Sequence, residues 1–470
     1  MKGIKLLLAF LLCWVGGRTD AQTIAEKLDA LVISSSVLNT SEVGIAVYDL
    51  TDDVPVYRYQ ANKLYRPASI EKVITSVTAL SELGKDYDYA TRLAYTGSIE
   101  AGRLKGDLYV IGGFDPEFME EDLLALVDSV YRAGIRRIDG RLIGDVSMKD
   151  SVYWGEGWSW DDTPEAFQPY LSPLMLNRGC VDVTIEPGNL GQAGRIEIAP
   201  ESDCYEVDNR SLTRVPSAGG LQITRNWLAN ENRILVSGNV SSRQAATLNV
   251  YNPQRFFVQT LGYRLRQKGI AVSADSIGFA ETPAEACMLG VRKRPLEAVL
   301  KRALKESDNL AAESMFYHLG LHGSRKSKGI SSREAQKAIS RFMQDSIGCS
   351  PKNYKIVDGS GVSLYNYVSP DLLLAYLKYA YHRPEVYHPL YEGLPIAGID
   401  GTLKYRMGRT QAFRRVRAKT GTVTGVCSLA GYAFGHGGHV YAFVIINQNV
   451  LKARQARDFQ DKVCEILVAG

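Results

Sequence analysis

Three short motifs, far apart in the chain, decide what it must fold into. Ser69-Ile70-Glu71-Lys72 is the one place where a lysine follows a serine at i+3. Ser307-Asp308-Asn309 opens 238 residues after Ser69, and Lys419-Thr420-Gly421 opens 112 residues after Ser307. A fold that uses all three must bring the chain back to one site twice. Serine and lysine at i and i+3 share a helix face, so the amine can reach the hydroxyl. A serine hydroxyl is a weak nucleophile and needs an adjacent base. Lysine is a base only when neutral, so its pKa must fall from about 10.4 through burial and a second nearby cation. Lys419, arriving on a strand edge, is the candidate for that cation. A helix start at Ser69 adds a positive dipole end that favours an oxyanion.

Each motif alone has a plainer reading. S-x-x-K is a common helix start, S-D-N is equally an N-cap cluster, and K-T-G is equally a strand opening with a turn. Their single occurrence, in this order and on compatible elements, points to serine acyl-transfer chemistry. In that reading Ser307 relays protons between the two lysines and a leaving amine. Asn309 orients Lys72 and hydrogen-bonds a substrate amide. Thr420 and Thr422 present hydroxyls to a substrate carboxylate beside Lys419.

The spacing also organises the chain. At 470 residues it suggests about three domains, or one core with insertions. The ends read as one helix-and-sheet unit. Thr23–Val37 and Ser69–Leu83 have helical periodicity, the latter with an apolar face of Val73, Val77 and Leu80. Val43–Leu50 and Val54–Tyr59 read as strands around a turn at Asp52-Asp53. Pro295–Gly320, Ser332–Asp345, Pro370–Tyr381 and Ala453–Val468 read as helices. Arg415–Ala418, Ser428–Phe434 and His439–Gln448 read as strands, the last suited to a central position. Between about Tyr87 and Glu281, short strands and glycine turns dominate, with helices expected at Glu121–Ala133 and Pro253–Lys268. A helix ending near Leu83 has no need of 200 residues to reach its partner. The middle is therefore an insertion into one catalytic unit, not a second enzyme.

Composition narrows the setting. The chain is 45% hydrophobic and 23% charged, which argues against disorder and against a multi-spanning membrane protein. Net charge is only +4, which gives no reason to expect a nucleic-acid partner. Met1–Ala21 has Lys2 and Lys5, an apolar run Leu6–Val15, and Thr19-Asp20-Ala21, the pattern of a secretory signal peptide. No later stretch reaches 18 apolar residues, so no transmembrane anchor is expected after signal removal. Six cysteines follow, with Cys180 and Cys204 the favoured disulfide pair among many connectivities. There is no C-x-x-C and the histidines lack ligand spacing, so no metal or cofactor is expected.

The motifs and their surroundings resemble the low-molecular-mass class C penicillin-binding proteins, D-alanyl-D-alanine carboxypeptidase/endopeptidases of bacterial cell walls. The resemblance covers nearly the whole chain after the signal. It includes Tyr65–Thr75 (YRPASIEKVIT), Gly106–Phe118 (GDLYVIGGFDPEF), Gly157–Asp162 (GWSWDD), Asp358–Ser363 (DGSGVS), Leu394–Met407 (LPIAGIDGTLKYRM) and Arg417–Tyr432 (RAKTGTVTGVCSLAGY). Phe114 and Leu364 depart from it, where a small and a basic residue are expected.

The resemblance implies an α/β (α+β) catalytic domain of the penicillin-binding-protein and serine β-lactamase type, an antiparallel sheet flanked by helices. It implies residues 22–86 with 282–470 for that domain. An inserted domain would take 87–153 and 241–281, and a nested β-rich domain 154–240. Ser69 is then the nucleophile and Lys72 the general base, supported by Ser307 and Asn309. Lys419, Thr420, Gly421 and Thr422 form the carboxylate-binding strand. Backbone N–H groups of Ser69 and Thr422 form the oxyanion hole. Asp161 or Asp162, with Asp162 preferred, meets an amino group on the substrate side chain, or else the pair is an acidic turn beside two tryptophans. DGSG and GIDGTL are cleft walls, or else glycine-supported turns. The expected function is an exported, periplasmic serine D-Ala-D-Ala carboxypeptidase, with endopeptidase action on cross-links left open beside it. Its partners would be peptidoglycan stem peptides and cross-links, with β-lactams as covalent inhibitors. A β-lactamase or serine esterase on the same core, and a wall-binding protein with a vestigial site, are the alternative classes.

Overall fold

A computed structural model describes residues 22–273, 276–324 and 326–470. The signal segment Met1–Ala21 lies outside the described residues. The two ends of the chain build one five-stranded antiparallel sheet. Its strands are β1 (Glu42–Asp49), β2 (Val54–Tyr59), β3 (Val416–Val423), β4 (Gly425–Phe434) and β5 (Val440–Val450). The spatial order is β3-β4-β5-β1-β2, which puts β3 at an edge and β5 at the centre. Register pairs Ile45 with Ile445 and Lys419 with Ala430.

The apolar run of β5 follows from burial on both faces, since a strand covered on two sides has no polar alternation. Phe443 and Ile445 face a core with Ile45, Val47, Phe459 and Val463, under helices α1 (Ile24–Ser34) and α5 (Ala453–Ala469). Val444 and Ile446 face the opposite core. That core is filled by α2 (Glu71–Glu82), α3 (Leu296–Lys305) and α4 (Asn309–Gly323), together with the helix Pro370–Tyr381. α2 is enclosed all round. Glu71 through Leu80 are all buried, so the expected Val73, Val77 and Leu80 stripe is only one side of a fully covered helix.

The helical stretch Pro295–Gly320 is two helices, with the Ser307-Asp308-Asn309 motif between them. α3 ends at Lys305, and Ser307 adopts φ +60°. Asp308 then caps α4, its side chain accepting the N–H of Ala311 at 2.9 Å. A left-handed residue cannot continue an α-helix, so the turn projects the Ser307–Asn309 motif instead of burying it in a helical run. A further helix, Pro384–Gly393, stands where the sequence suggested none.

The chain leaves this unit after α2 and returns at α3, where the Leu296 N–H meets the Tyr87 carbonyl at 2.8 Å. Between these points lies a second five-stranded sheet. Its order is Ile277–Phe279, Leu142–Asp145, Leu108–Ile111, Asp88–Tyr95, Cys287–Pro295. This sheet runs past the expected end at Glu281, because Cys287–Pro295 pairs antiparallel with Asp88–Tyr95. Two three-stranded sheets follow within it, centred on Cys180–Glu186 and on Arg233–Asn239. Gln244–Asn249, beyond the expected limit at Val240, pairs with Cys180–Glu186. Leu93, Leu126, Val183, Val236 and Phe257 share one core across these sheets and the helices Glu120–Arg132 and Pro253–Gln267.

The expected Cys180–Cys204 disulfide is not formed. The Cys180 thiol is buried at a strand start and donates to the Arg178 carbonyl, while Cys204 accepts from Asn232 Nδ2 beside a different sheet. The six cysteines among the described residues are free thiols.

Candidate active site

Ser69 sits in a 3₁₀ turn, Ala68–Ile70, that leads directly into α2. Ala68 before it is left-handed at φ +50°, a strained conformation held by its surroundings. The sheet supplies that hold. Ser428 Oγ donates to the Pro67 carbonyl at 2.6 Å, and Gln448 Nε2 to the Arg66 carbonyl at 2.9 Å. Gly421 completes the contact. A Cβ on it would lie 2.9 Å from the Ser69 nitrogen and 2.1 Å from Ser428 Oγ, so only glycine lets β3 approach the Ser69 turn.

Lys72 is fully buried one turn further along. Its Nζ lies 3.0 Å from Ser69 Oγ, 2.7 Å from Asn309 Oδ1 and 2.8 Å from the Ser360 carbonyl. Lys419 is equally buried, and donates to Ser307 Oγ at 2.8 Å and to the Thr420 carbonyl at 2.6 Å. The structure therefore joins Asn309 to Lys72 and Ser307 to Lys419. The expected Ser307 bridge between both lysines is realised on the Lys419 side, because the three contacts of Lys72 go elsewhere.

Strand parity places the backbone of β3. The Ala418 N–H reaches the Pro395 carbonyl and the Val416 carbonyl accepts from Ala397, both on the side away from β4. Backbone groups alternate sides along a strand, so the N–H groups of Thr420 and Thr422 also point to that edge, beside Ser69. Thr422 is exposed, whereas the Thr420 hydroxyl is already bonded to Thr402 Oγ1 at 2.7 Å. Thr402 belongs to the GIDGTL segment, which thus borders the site.

Burial draws the Lys72 amine down to about 8, against an upward pull from the carboxylates of Asp358, Asp308, Glu313 and Glu71. Burial was expected to act together with the charge of Lys419, and burial is the part that holds. The effect of charge runs the other way: burial and then the Lys72 cation hold Lys419 well below the ordinary lysine range. Beneath Lys72 lie two fully buried acids. Glu313 is pushed up to about 8 by burial and by Asp358, although it accepts the N–H groups of Gly359 and Ser360. Glu71 is raised well above the ordinary range, first by burial, and neither of its oxygens has a hydrogen-bond partner.

The DGSG turn lies under the site and not along a cleft wall. Asp358 and Ser360 are buried, and the turn offers a carbonyl to Lys72. Sequence reasoning saw the motif but missed this contact, and it missed Glu313, whose only signal was a charged residue inside an apolar helical run. Asp162 is half-buried in the short turn Trp160–Asp162, its carboxyl raised by burial and by Asp161 and Glu165. It does not touch the motif residues. A cavity of about 300 Å³ opens between the insertion and the catalytic unit, walled by Phe167, Arg178, Asp182, Arg302, Ser307 and Asn309.

The Ser69 turn, the buried Lys72 amine, the second lysine and the edge strand, on this sheet with its helices, define a serine acyl-transfer enzyme of the penicillin-interacting type. The chain belongs to the D-Ala-D-Ala carboxypeptidase 3 (S13) family, whose profile matches residues 24–469. It is 27% identical over 411 residues to D-alanyl-D-alanine carboxypeptidase DacB of Haemophilus influenzae, covering 86% of this chain and 85% of that protein. It is 28% identical over 443 residues to the D-alanyl-D-alanine carboxypeptidase of Actinomadura sp. strain R39, covering 90% and 80%. The crystal structure of penicillin binding protein 4 (dacB) from Haemophilus influenzae superposes with a TM-score of 0.81 at 25% identity, over 93% of this chain and 98% of that one. Family membership selects the serine-type peptidase among the three classes the sequence left open.

Proposed function

We propose that this protein is an exported D-Ala-D-Ala carboxypeptidase that works through an acyl-enzyme on Ser69. One observation carries the assignment of roles. A neutral amine has two N–H donors and one lone pair. Asn309 Oδ1 and the Ser360 carbonyl are both acceptors, and they take the two N–H groups of Lys72. The lone pair then faces the third neighbour, the Ser69 hydroxyl. Ser69 Oγ attacks the carbonyl carbon of the penultimate D-alanine as its proton passes to Lys72. The oxyanion forms against the N–H groups of Ser69 and Thr422. The C–N bond breaks as the leaving D-alanine amine takes a proton from Lys419 through Ser307, and solvent restores Lys419 as Lys72 releases the proton it took from Ser69. Water then hydrolyses the ester and regenerates Ser69.

Lys419 receives the substrate carboxylate, whose negative charge favours the protonated amine against the burial that opposes it. Thr420, Gly421 and Thr422 shape the strand that holds this carboxylate, and Asp162 offers its carboxyl to an amino group on the substrate side chain. Sheet pairing supports three units: a catalytic one, an inserted one entered after α2 and left at α3, and a nested β-rich one. No helix among the described residues is long and apolar enough to cross a membrane. The leader pattern supports export to the periplasm, where stem peptides and their cross-links are the substrates.

A labelled penicillin tests this. It should attach to one peptide containing Ser69, and Ser69→Ala should abolish the adduct. Labelling that survives the substitution overturns the assignment. Digestion of purified peptidoglycan, read by mass, then separates release of terminal D-alanine from cleavage of cross-links.

A further inference from the structure

Both acceptors that hold Lys72 are themselves held by one segment of the insertion, residues 155–168. The Phe167 carbonyl accepts Asn309 Nδ2 at 2.6 Å. With the amino end of that amide tied there, its oxygen must face Lys72. Trp158 Nε1 donates to Asp358 Oδ2 at 2.8 Å. The same buried carboxylate accepts the N–H groups of Gly361 and Ser363 at 2.9 and 2.7 Å, and Asn366 Nδ2 at 2.7 Å. Glu313 holds the other side of this turn through Gly359 and Ser360. The Ser360 carbonyl therefore has a fixed direction. The two segments are built to meet: the Leu364 N–H reaches the Gly157 carbonyl at 3.1 Å, and a Cβ on Gly157 would lie 2.5 Å from Ser363 Oγ.

We infer that this segment is a positioning clamp for the general base, with Trp158 acting through Asp358 and the Ser360 carbonyl, and the Phe167 carbonyl acting through Asn309. The inference rests on the role proposed above for Lys72. It gives the insertion a task at the reacting centre, exerted through Asn309 and the Ser360 carbonyl. Trp158 is a positioning residue.

The groups facing Lys72 are Glu71 from its own helix, Asp308 and Glu313 from α4 and its cap, Asp358 from the turn, and Lys419 from β3. The indole N–H offsets the Asp358 charge. Without it, that charge acts more strongly on Lys72 and favours the protonated amine.

The test measures acylation by a fluorescent penicillin between about pH 6 and 10, normalised to the number of sites finally labelled. Trp158→Phe keeps the ring and removes the donor. It should slow acylation about tenfold at neutral pH and move the rising limb of the rate upward by about half a unit, with full final labelling. In an Asp358→Asn background the same substitution should have little further effect, since coupled residues do not add. An unchanged rate and limb, or equal effects in both backgrounds, overturns the clamp. If Trp158→Phe does not fold, Gly157→Ala, which pushes the segment off Ser363, should give the same slowed rate and raised limb, and an unchanged limb there overturns it. Wild-type protein that fails to label at Ser69 would instead sink the acyl-enzyme reading.

Discussion

Lys419 Nζ donates to Ser307 Oγ at 2.8 Å, joining the edge strand to a left-handed residue 112 positions earlier. Lys419 is fully buried, and its other polar contact is the Thr420 carbonyl. Ser307→Ala leaves the amine short of an acceptor and breaks the proton path to the leaving group. The Lys72–Ser69 contact does not involve Ser307 and should persist. Acylation by a labelled penicillin should fall by about 10²-fold, the usual worth of positioned proton transfer, with final labelling unchanged. An unaltered rate would remove Ser307 from the proton path.

The pH dependence follows from Lys72. Burial holds its amine near 8, so below that pH most molecules carry a protonated base. The acylation rate should rise about tenfold per unit through the acid range and level above pH 8. Lys72→Arg stays charged throughout and should lose acylation by about 10²-fold or more at every pH. Stopped-flow rates across the range check both. A wild-type rate that is flat from pH 6 to about 9 would exclude Lys72 as the titrating base.

Gly421 is where the edge strand meets the Ser69 turn. Gly421→Ala places a methyl 2.9 Å from the Ser69 nitrogen and 2.1 Å from Ser428 Oγ. The strand must retreat, and the Ser428 bond to the Pro67 carbonyl is strained with it. Acylation should fall about tenfold or more, since small misplacements of a reacting group are expensive in rate. The melting temperature should fall by only a few degrees, about 1–3 kcal/mol of overpacking. Thermal melts beside acylation rates distinguish this from general unfolding.

What the sequence made legible was local. Ser69 and Lys72 share a helix face by spacing alone, and the edge strand announced itself through K-T-G. The central place of β5 was visible in VYAFVIINQ, because Val440–Ile446 carries no charged or amide side chain. What stayed hidden was set by distance. Ser360 is 288 residues from Lys72, and Phe167 is 142 from Asn309, and no local pattern links them. S-D-N was legible as a motif between helical segments, but the left-handed turn at Ser307 was hidden for another reason. LKRALKESDNLAAESMF has strong helix formers on both sides, and a left-handed residue has no periodicity of its own. The Cys180–Cys204 expectation failed because nearness in sequence did not put the two thiols on the same sheet.

Glu313 ties stability to pH. Its folded pKa is raised from 4.5 to about 8, chiefly by burial. Between about pH 4.5 and 8 the native state therefore binds more protons than the unfolded chain, and stability falls as pH rises through that window. Glu71, fully buried with both oxygens unpartnered, acts in the same direction. Lys72, lowered from 10.5 to about 8, acts in the next window, where the unfolded chain binds more protons and stability rises with pH. Glu313→Gln keeps an amide oxygen for the Gly359 and Ser360 N–H groups but cannot ionise. Melting temperatures from pH 5 to about 8 should fall less steeply in this variant than in the wild type. Its Lys72 also loses a neighbouring carboxylate that favours the charged amine, so its acylation limb should move downward in pH. Equal slopes in the two proteins would mean that Glu313 does not change its protonation on folding.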